Sequence, residues 1–215
     1  MKDYVKANKE TFNALAEEYL KRSRKKGKYE EPLDNLVGIP LGFARERFQS
    51  VHTLELGPGS GEICAYLAKK GCDTTALDLA EKILEVVGKL SPSTKLINAD
   101  ILEFGLPKEG YEMVYCGAFI HLFKKEDAKI VMQNIWESLK QKGILLIYTT
   151  IHEESAEGFF AKQDYSSNLV RFRHRYTEPE FKELIESSGF IILERMFTDE
   201  KDRNKKWVTF VCEKA

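Results

Sequence analysis

The chain has 215 residues, of which 43% are hydrophobic and 31% are charged, which is enough for one substantial core and a small appendage. Its 33 basic and 34 acidic residues leave a formal charge of −1, so no net field attracts nucleic acid or an anionic membrane. The four cysteines show no CxxC spacing, which argues against a disulfide framework or a zinc site and indicates reduced thiols in a cytoplasmic protein.

The N-terminal part of the chain is predicted to be helical. Apolar residues recur at helical spacing over residues 4–22, which predicts an amphipathic helix. The next segment, KRSRKKGKYEEP, is charged and contains a glycine and a proline, which indicates an exposed loop or hinge. Residues 33–48 have a helical pattern again. We therefore expect residues 1–48 to form a helical lid over a main domain of residues 49–215, with no signal peptide in MKDYVKANKE.

From residue 51 onward, short β-rich runs alternate with helical patterns. The runs are VHTLEL, CDTTAL, TKLIN, YEMVYC and GILLIYTT, and the helical patterns between them cover residues 62–70, 80–90 and 125–140. This alternation is typical of βαβ units, which build a parallel sheet covered on both faces. The sequence therefore predicts an α/β fold.

The C-terminal third has a different pattern. Thr177 and Glu180 have the spacing of a capping box, and Gly189 is placed to end the helix that they begin. Two extended runs, residues 190–197 and 206–213, follow and are separated by a polar turn. They predict an antiparallel hairpin at the sheet edge.

The stretch LELGPGSGE at residues 54–62 joins the first predicted strand to a helix. Glycines at alternate positions permit positive φ and close approach by a ligand, although a tight turn without a ligand is the alternative. A dinucleotide fingerprint needs a small residue where this chain has Glu62, and no P-loop lysine follows. A ligand without phosphate is favoured, and Glu55 before the glycines suits a cationic group.

The segment ELGPGSG at residues 55–61 resembles the first motif, E/DxGxGxG, of the class I S-adenosylmethionine-dependent methyltransferases, in their small-molecule, type 11-like group. The stretches TALDLA, NADILEF, YEMVYCGAFIHL, LKQKGILLIYTT and YTEPEFKELIESSGFIIL resemble later motifs of the family, in the same order. The resemblance spans about residues 10–213. It implies a Rossmann-like, seven-stranded, mostly parallel sheet with a C-terminal antiparallel hairpin and an N-terminal helical lid.

The resemblance also implies a cofactor, S-adenosyl-L-methionine, and residues that bind it. Asp78 resembles the acid that holds the ribose hydroxyls, and Asp100 resembles the acid near the adenine amino group. A helix cap is the alternative role for Asp78, and an ordinary loop acid is the alternative for Asp100. The full implied set of cofactor-binding residues is Glu55, Gly57, Gly59, Gly61, Asp78, Leu79, Asp100, Ile101 and Cys116.

Methyl transfer from a sulfonium mainly requires in-line positioning and exclusion of water. A base matters only if the acceptor must lose a proton, and His121, in the loop after the fourth strand, is the candidate. Its alternative is a histidine that only packs or bonds to the backbone. No histidine has metal-ligand spacing with a cysteine or an acid, so we expect no metal.

Two basic clusters are candidates for contact with a substrate. KRSRKKGK at residues 21–28 suits RNA phosphates or, alternatively, a solvated charge run. In RFRHR at residues 171–175, an extended backbone would turn the three arginines to one face. They would form either a clamp for a carboxylate or phosphate or a solvent-facing edge. This segment lies within residues 152–176, which show no convincing period. The candidate substrate-binding residues are Tyr19, Arg171, Arg173 and His174.

The sequence therefore predicts a cytoplasmic, S-adenosylmethionine-dependent methyltransferase, either a monomer or a homodimer, without membrane insertion. The expected acceptor is a small molecule with an oxygen or nitrogen nucleophile, acidic molecules included. Two alternatives stay open. One is a tRNA or rRNA methyltransferase, although CGAF replaces the NPPY-like tetrad after the fourth strand. The other is a non-catalytic partner subunit that binds S-adenosylmethionine.

Overall fold

The computed structural model describes residues 1–26, 33–161 and 169–215. The helices are α1 (Asp3–Lys26), α2 (Ile39–Arg47), α3 (Glu62–Lys69), α4 (Glu81–Leu90), α5 (Lys125–Ser138) and α6 (Glu178–Ser187). The strands are β1 (His52–Leu56), β2 (Asp73–Asp78), β3 (Lys95–Asn98), β4 (Tyr111–Gly117), β5 (Leu139–Ile151), β6 (Ala156–Ala161), β7 (Val170–Arg175), β8 (Phe190–Glu200) and β9 (Lys205–Lys214). A π-helical turn, Asp34–Gly38, precedes α2, and 3-10 turns cover Ile120–Leu122 and Lys201–Arg203.

Seven strands form the main sheet in the order β3-β2-β1-β4-β5-β9-β8. Strands β1 to β5 pair in parallel, β9 is antiparallel to β5, and β8 is antiparallel to β9. The predicted α/β architecture, with a mostly parallel sheet and a C-terminal antiparallel hairpin, is confirmed. Because the order reverses between β1 and β4, the carboxyl ends of these strands border a crevice of the kind where such sheets bind ligands.

Both faces of the main sheet are buried. Successive side chains of a strand point to opposite faces, and in β4 Val114 packs in the cluster under α5 and α6 while Met113 packs in the cluster with α2 and α3. All of Tyr111–Cys116 is buried. Doubly covered strands of this kind read as continuous apolar runs, which explains why the sequence shows them clearly.

Helix α6 has the predicted ends. The hydroxyl of Thr177 accepts a hydrogen bond from the backbone N–H of Glu180 at 3.3 Å, which satisfies one of the unpaired donors at the helix start. Gly189 follows the helix with φ of +85°, a left-handed conformation that glycine adopts without steric cost. The N-cap at Thr177 and the C-terminal glycine are confirmed, whereas the reciprocal half of the capping box is absent, because the Glu180 carboxylate contacts Lys125 and His174 instead.

The region 152–176 differs from its prediction as a loop without period. Strands β6 and β7 pair antiparallel as a separate two-stranded sheet, with Phe159 opposite Phe172. Residues 162–168, between them, lie outside the described residues. The strands were missed because β6 is mostly exposed and its pairing is decided by contacts distant in sequence, not by its own pattern.

Helix α1 lies against β7 and the 3-10 turn after β4. Asn8 carries this contact, since its Nδ2 donates to the carbonyls of Leu122 (3.1 Å) and Phe172 (3.3 Å) and its Oδ1 accepts from the N–H of Phe172 (2.8 Å). Thr11 Oγ1 donates to the carbonyl of Val170 at 2.6 Å. The helix reaches Lys26, beyond the predicted end at residue 22, and residues 27–32 of the predicted hinge lie outside the described residues.

Across the described ranges, no helix is both long and apolar enough to cross a membrane.

Candidate active site

A cavity of about 340 Å³ lies beyond the carboxyl ends of the parallel strands, within the range of volumes that bind small ligands. Its walls are the turn after β1, the end of β2, the loop after β3, and the ends of β4 and β5. One face of α1 and the π-helical turn before α2 close it on the other side. The fold therefore places this cavity at its topological switch point.

The turn after β1 requires its glycines. Gly57, Gly59 and Gly61 have φ of +65°, +55° and +80°, a region that side chains with a Cβ rarely adopt. A Cβ on Gly57 would lie 2.5 Å from the ring of Phe119, and one on Gly61 would lie 3.0 Å from the Cα of Val87 in α4. Gly57 and Gly59 line the cavity, whereas Gly61 provides close packing against α4.

Two carboxyl groups flank this turn. Glu55, the last but one residue of β1, is buried, lines the cavity and accepts a hydrogen bond from Cys64 Sγ at 2.8 Å. Burial raises the pKa of Glu55 to about 8, so a cationic group beside it would favour the charged form. Glu62 begins α3 and also lines the cavity, where the dinucleotide fingerprint has a small residue.

Asp78 and Asp100 lie together at one end of the cavity, next to Leu79 and Ile101. Asp78 Oδ1 accepts from the N–H of Ala80 at 2.8 Å, a bond within the turn that precedes α4 and not a cap of the helix itself, and burial raises the pKa of Asp78 to about 7. Asp100 Oδ1 accepts from the N–H of Leu102 at 3.1 Å, while its buried Oδ2 has no hydrogen-bond partner among the described residues. A ligand with hydroxyl or amino groups would satisfy these oxygens.

Cys116 and His121 do not line the cavity. Cys116 points to the opposite face of β4, into the core cluster that α5 covers, and burial raises its pKa to about 12. His121 is buried in the 3-10 turn, with Nδ1 3.1 Å from Thr149 Oγ1. Its neighbours Phe119 and Leu122 face the cavity.

The candidate substrate-binding residues are divided between two places. Tyr19 lines the cavity, where its ring lies 3.2 Å from the position of a Cβ on Gly59. Arg171, Arg173 and His174 lie on β7 and are not among the cavity residues. Arg173 donates to Thr150 Oγ1.

His174 belongs to a separate buried cluster beside β7. Its ring stacks on Tyr176 at 3.8 Å between ring centroids. Its Nδ1 is 3.3 Å from Glu157 Oε1, and its Nε2 is 3.3 Å from Glu180 Oε1. These contacts join β6, β7 and α6 and lie outside the cavity. Among the described residues, no cluster of side chains is suited to hold a metal ion.

Several cavity residues were missed by sequence reasoning. They are the aromatic and apolar residues Phe12, Leu33, Leu36, Tyr115, Phe119 and Tyr148, together with Asn8. The apolar pattern of α1 indicated a buried face, but that pattern is the same for a helix over a core and for a helix over a ligand. The position of Phe119, directly after the fourth strand, was the one available signal.

Residues 54–147 match the family model described as a methyltransferase domain. The matched segment is less than half of the chain, so the match is a likeness to methyltransferase domains, whose class I members use S-adenosyl-L-methionine. The orphaned Asp100 oxygen, the half-buried Asp78 and the glycine turn are groups that fit a nucleoside-containing cofactor of this kind.

A solved structure with the same methyltransferase fold covers almost the whole chain. It is that of the Burkholderia thailandensis 1,6-didemethyltoxoflavin-N1-methyltransferase with bound 1,6-didemethyltoxoflavin and S-adenosylhomocysteine. The two superimpose with a TM-score of 0.74 over 99% of this chain and 89% of that chain, at 14% sequence identity. At this identity the likeness shows the fold alone.

Curated proteins that this chain resembles match shorter stretches of it. "Putative methyltransferase YqeM" of Bacillus subtilis is 31% identical over 130 residues, 54% of this chain and 51% of that protein. "Putative methyltransferase GWCH70_2453" of a Geobacillus strain is 25% identical over 99 residues, 43% of this chain and 40% of that protein. The chain thus spans about half or less of the length of these relatives.

Proposed function

We propose that this protein transfers a methyl group from S-adenosyl-L-methionine to a small-molecule acceptor through an oxygen or nitrogen nucleophile of that acceptor. One observation carries the proposal. The glycine turn and the two acids line the same cavity as apolar side chains from α1, from the π-helical turn and from the turn after β4. A cofactor and a second small molecule held against each other there would have the arrangement that methyl transfer requires.

The acids and the glycine turn would hold the cofactor. Asp78 and Asp100 would accept hydrogen bonds from the hydroxyl and amino groups of the nucleoside, and Glu55 would face the amino group at the other end. When bound, the cofactor supplies an electrophilic methyl group on its sulfonium. The glycines let the backbone approach it closely, since no Cβ stands between the turn and the cavity.

The apolar part of the lining would hold the acceptor. Leu36, Phe119 and Leu122 are apolar residues of this lining, so a bound acceptor would displace water from the site, which strengthens electrostatic interactions within it. We propose that residues 1–48 act as its cover, because α1 and the π-helical turn close this side. That cover favours a small acceptor over a nucleic acid, which would have to reach the site through it.

No histidine lines the cavity among the described residues, and His121 would act as a base only if its 3-10 turn moved. We therefore propose that the protein contributes positioning and water exclusion. A nucleophile such as a ring nitrogen or an already ionised oxygen would need no base. Arg171 and Arg173 lie on β7 and are not cavity residues. They would bind an acidic acceptor only if that acceptor extended from the cavity to β7, so this role stays a proposal.

Calorimetry with S-adenosylhomocysteine and with NADH would test the cofactor. We expect S-adenosylhomocysteine to bind and NADH not to bind; the reverse result would overturn the proposal. Transfer of labelled methyl from S-adenosylmethionine to a panel of phenols, heterocyclic amines and carboxylic acids would then test catalysis, with bulk tRNA and rRNA as the comparison. Cofactor binding without transfer to any acceptor would favour the non-catalytic partner subunit.

A further inference from the structure

Two tyrosines from neighbouring strands meet inside the cavity. The hydroxyl of Tyr115 on β4 donates to the hydroxyl of Tyr148 on β5 at 2.9 Å, and both residues line the cavity. The ring of Tyr148 packs edge-on against Trp207, with 5.6 Å between ring centroids. A Cβ on Gly117 would lie 2.6 Å from each of the two tyrosine rings. The glycine thus leaves the space that both rings fill, and the pair is held in one position.

The pair lies at the opposite end of the cavity from the two acids. Asp78 ends β2 and Asp100 follows β3, the glycine turn follows β1, and the tyrosines stand on β4 and β5, in the sheet order β3-β2-β1-β4-β5. Since adjacent strands are about 4.8 Å apart, β2 and β5 are separated by about 14 Å. A nucleoside held over β2 and β3 would therefore direct its substituent across the glycine turn towards the tyrosines.

The chemistry of this end suits an amino acid. An amino-acid group carries an ammonium, which needs an acceptor, and a carboxylate, which needs a donor. Glu55 is the register neighbour of Tyr115 in the parallel pair β1–β4 and is a possible acceptor. Burial raises the pKa of Tyr148 to about 12 and also raises the pKa of Tyr115 well above its ordinary value, so both phenols stay protonated. Because Tyr115 donates to Tyr148, the proton of Tyr148 remains available to a ligand.

We propose that the Tyr148 hydroxyl, positioned by Tyr115, donates a hydrogen bond to the carboxylate at the amino-acid end of bound S-adenosylmethionine. This inference rests on the proposed cofactor function. Neither the glycines of the turn nor the two acids offer a side-chain donor to the carboxylate, so Tyr148 would contact it and Tyr115 would hold Tyr148 in position. A neutral donor to a carboxylate is one of the stronger single hydrogen bonds in proteins.

The test compares two ligands that differ only in the carboxylate: S-adenosylmethionine and its decarboxylated form. Calorimetry is performed on the full chain and on Tyr148→Phe, which keeps the ring packed on Trp207. The substitution should weaken binding of S-adenosylmethionine by about 10- to 100-fold, as expected for loss of one hydrogen bond to a charged group, and should leave binding of the decarboxylated ligand unchanged. Tyr115→Phe should weaken binding of S-adenosylmethionine by a smaller factor and should leave binding of the decarboxylated ligand unchanged.

Tyr111→Phe is the matched control, because Tyr111 is buried at the other end of the same strand and is not a cavity residue. It should bind both ligands as the unmodified chain does. Equal losses for both ligands in Tyr148→Phe would show a general structural role and overturn the inference, and so would unchanged binding of S-adenosylmethionine. Failure of the unmodified chain to bind S-adenosylmethionine would instead overturn the proposed function itself.

Discussion

Replacing Asp78 with asparagine is expected to stabilise the ligand-free protein and, at the same time, to weaken cofactor binding. Burial raises the pKa of Asp78 from the ordinary value of 3.8 to about 7, so the folded state holds the proton more tightly than the unfolded chain. Ionisation therefore destabilises the fold progressively as pH rises from about 4 to 7. The difference between the two pKa values, at about 1.36 kcal/mol for each pH unit, corresponds to about 4 kcal/mol above pH 7.

The unfolding free energy of Asp78→Asn at pH 8 should exceed that of the unmodified protein by about 2–4 kcal/mol. The full difference is not expected, because water in the cavity hydrates part of the carboxylate. An amide is neutral at every pH, and its oxygen can still accept from the N–H of Ala80, which keeps this hydrogen bond of the turn. For a chain of this length, 1 kcal/mol corresponds to about 2–4 °C in Tm. The Tm of the ligand-free variant at pH 8 should therefore exceed that of the unmodified protein by about 5–15 °C.

Cofactor binding should change in the opposite direction. The amide cannot offer the two ionised oxygens that would accept from vicinal hydroxyls, and each hydrogen bond to a charged group contributes about 1.5–3 kcal/mol. Affinity for S-adenosylhomocysteine at pH 8 should fall at least about tenfold. An acid that is kept in a desolvated site for function destabilises the fold but strengthens ligand binding. Its replacement should therefore raise stability and lower affinity.

Thermal unfolding without ligand at pH 5 and pH 8, with calorimetry at pH 8, would measure both effects. Asp127→Asn is the control, because hydrogen bonds from Lys2 and Tyr4 hold the pKa of that buried acid below its ordinary value. Asp127→Asn should therefore destabilise the protein at pH 8. If Asp78→Asn gains no more stability at pH 8 than at pH 5, the assignment of a desolvated carboxylate is wrong.

Two further substitutions test the turn and the cover. Gly57→Ala should lower affinity for S-adenosylhomocysteine at least about tenfold, because its Cβ would displace Phe119. The control is Gly71→Ala: Gly71 has φ of +82° but open space around it, so the substitution should cost only about 1–2 kcal/mol of stability. Equal affinity for S-adenosylhomocysteine in the two variants would contradict this reasoning. Asn8→Ala should lower the unfolding free energy in urea by about 2–3 kcal/mol, since buried backbone groups lose their partner. Asn13→Ala, which removes only a solvent-exposed hydrogen bond from the N–H of Lys82, should change it by less than about 1 kcal/mol.

Much of the fold could be predicted because its signals are local. The parallel strands are buried on both faces and read as apolar runs, the helix at Thr177 carries its own cap, and the turn at Gly57 shows its glycines directly. Each of these features depends on residues within a few positions of one another. The order of the motifs along the chain then indicated the family, and with it the placement of Asp78 and Asp100 at the strand ends.

The sequence alone thus determined the alternation of strands and helices, the backbone of the glycine turn and the acids beside it. Only the tertiary structure decided which side chains share the cavity. In YEMVYC every residue is buried, so the apolar pattern has no period of two, and nothing local tells whether Tyr115 or Cys116 faces the ligand side. The meeting of Tyr115 with Tyr148, the docking of Asn8 on β7 and the pairing of β6 with β7 likewise depend on residues far apart in sequence, because packing and register between strands decide them.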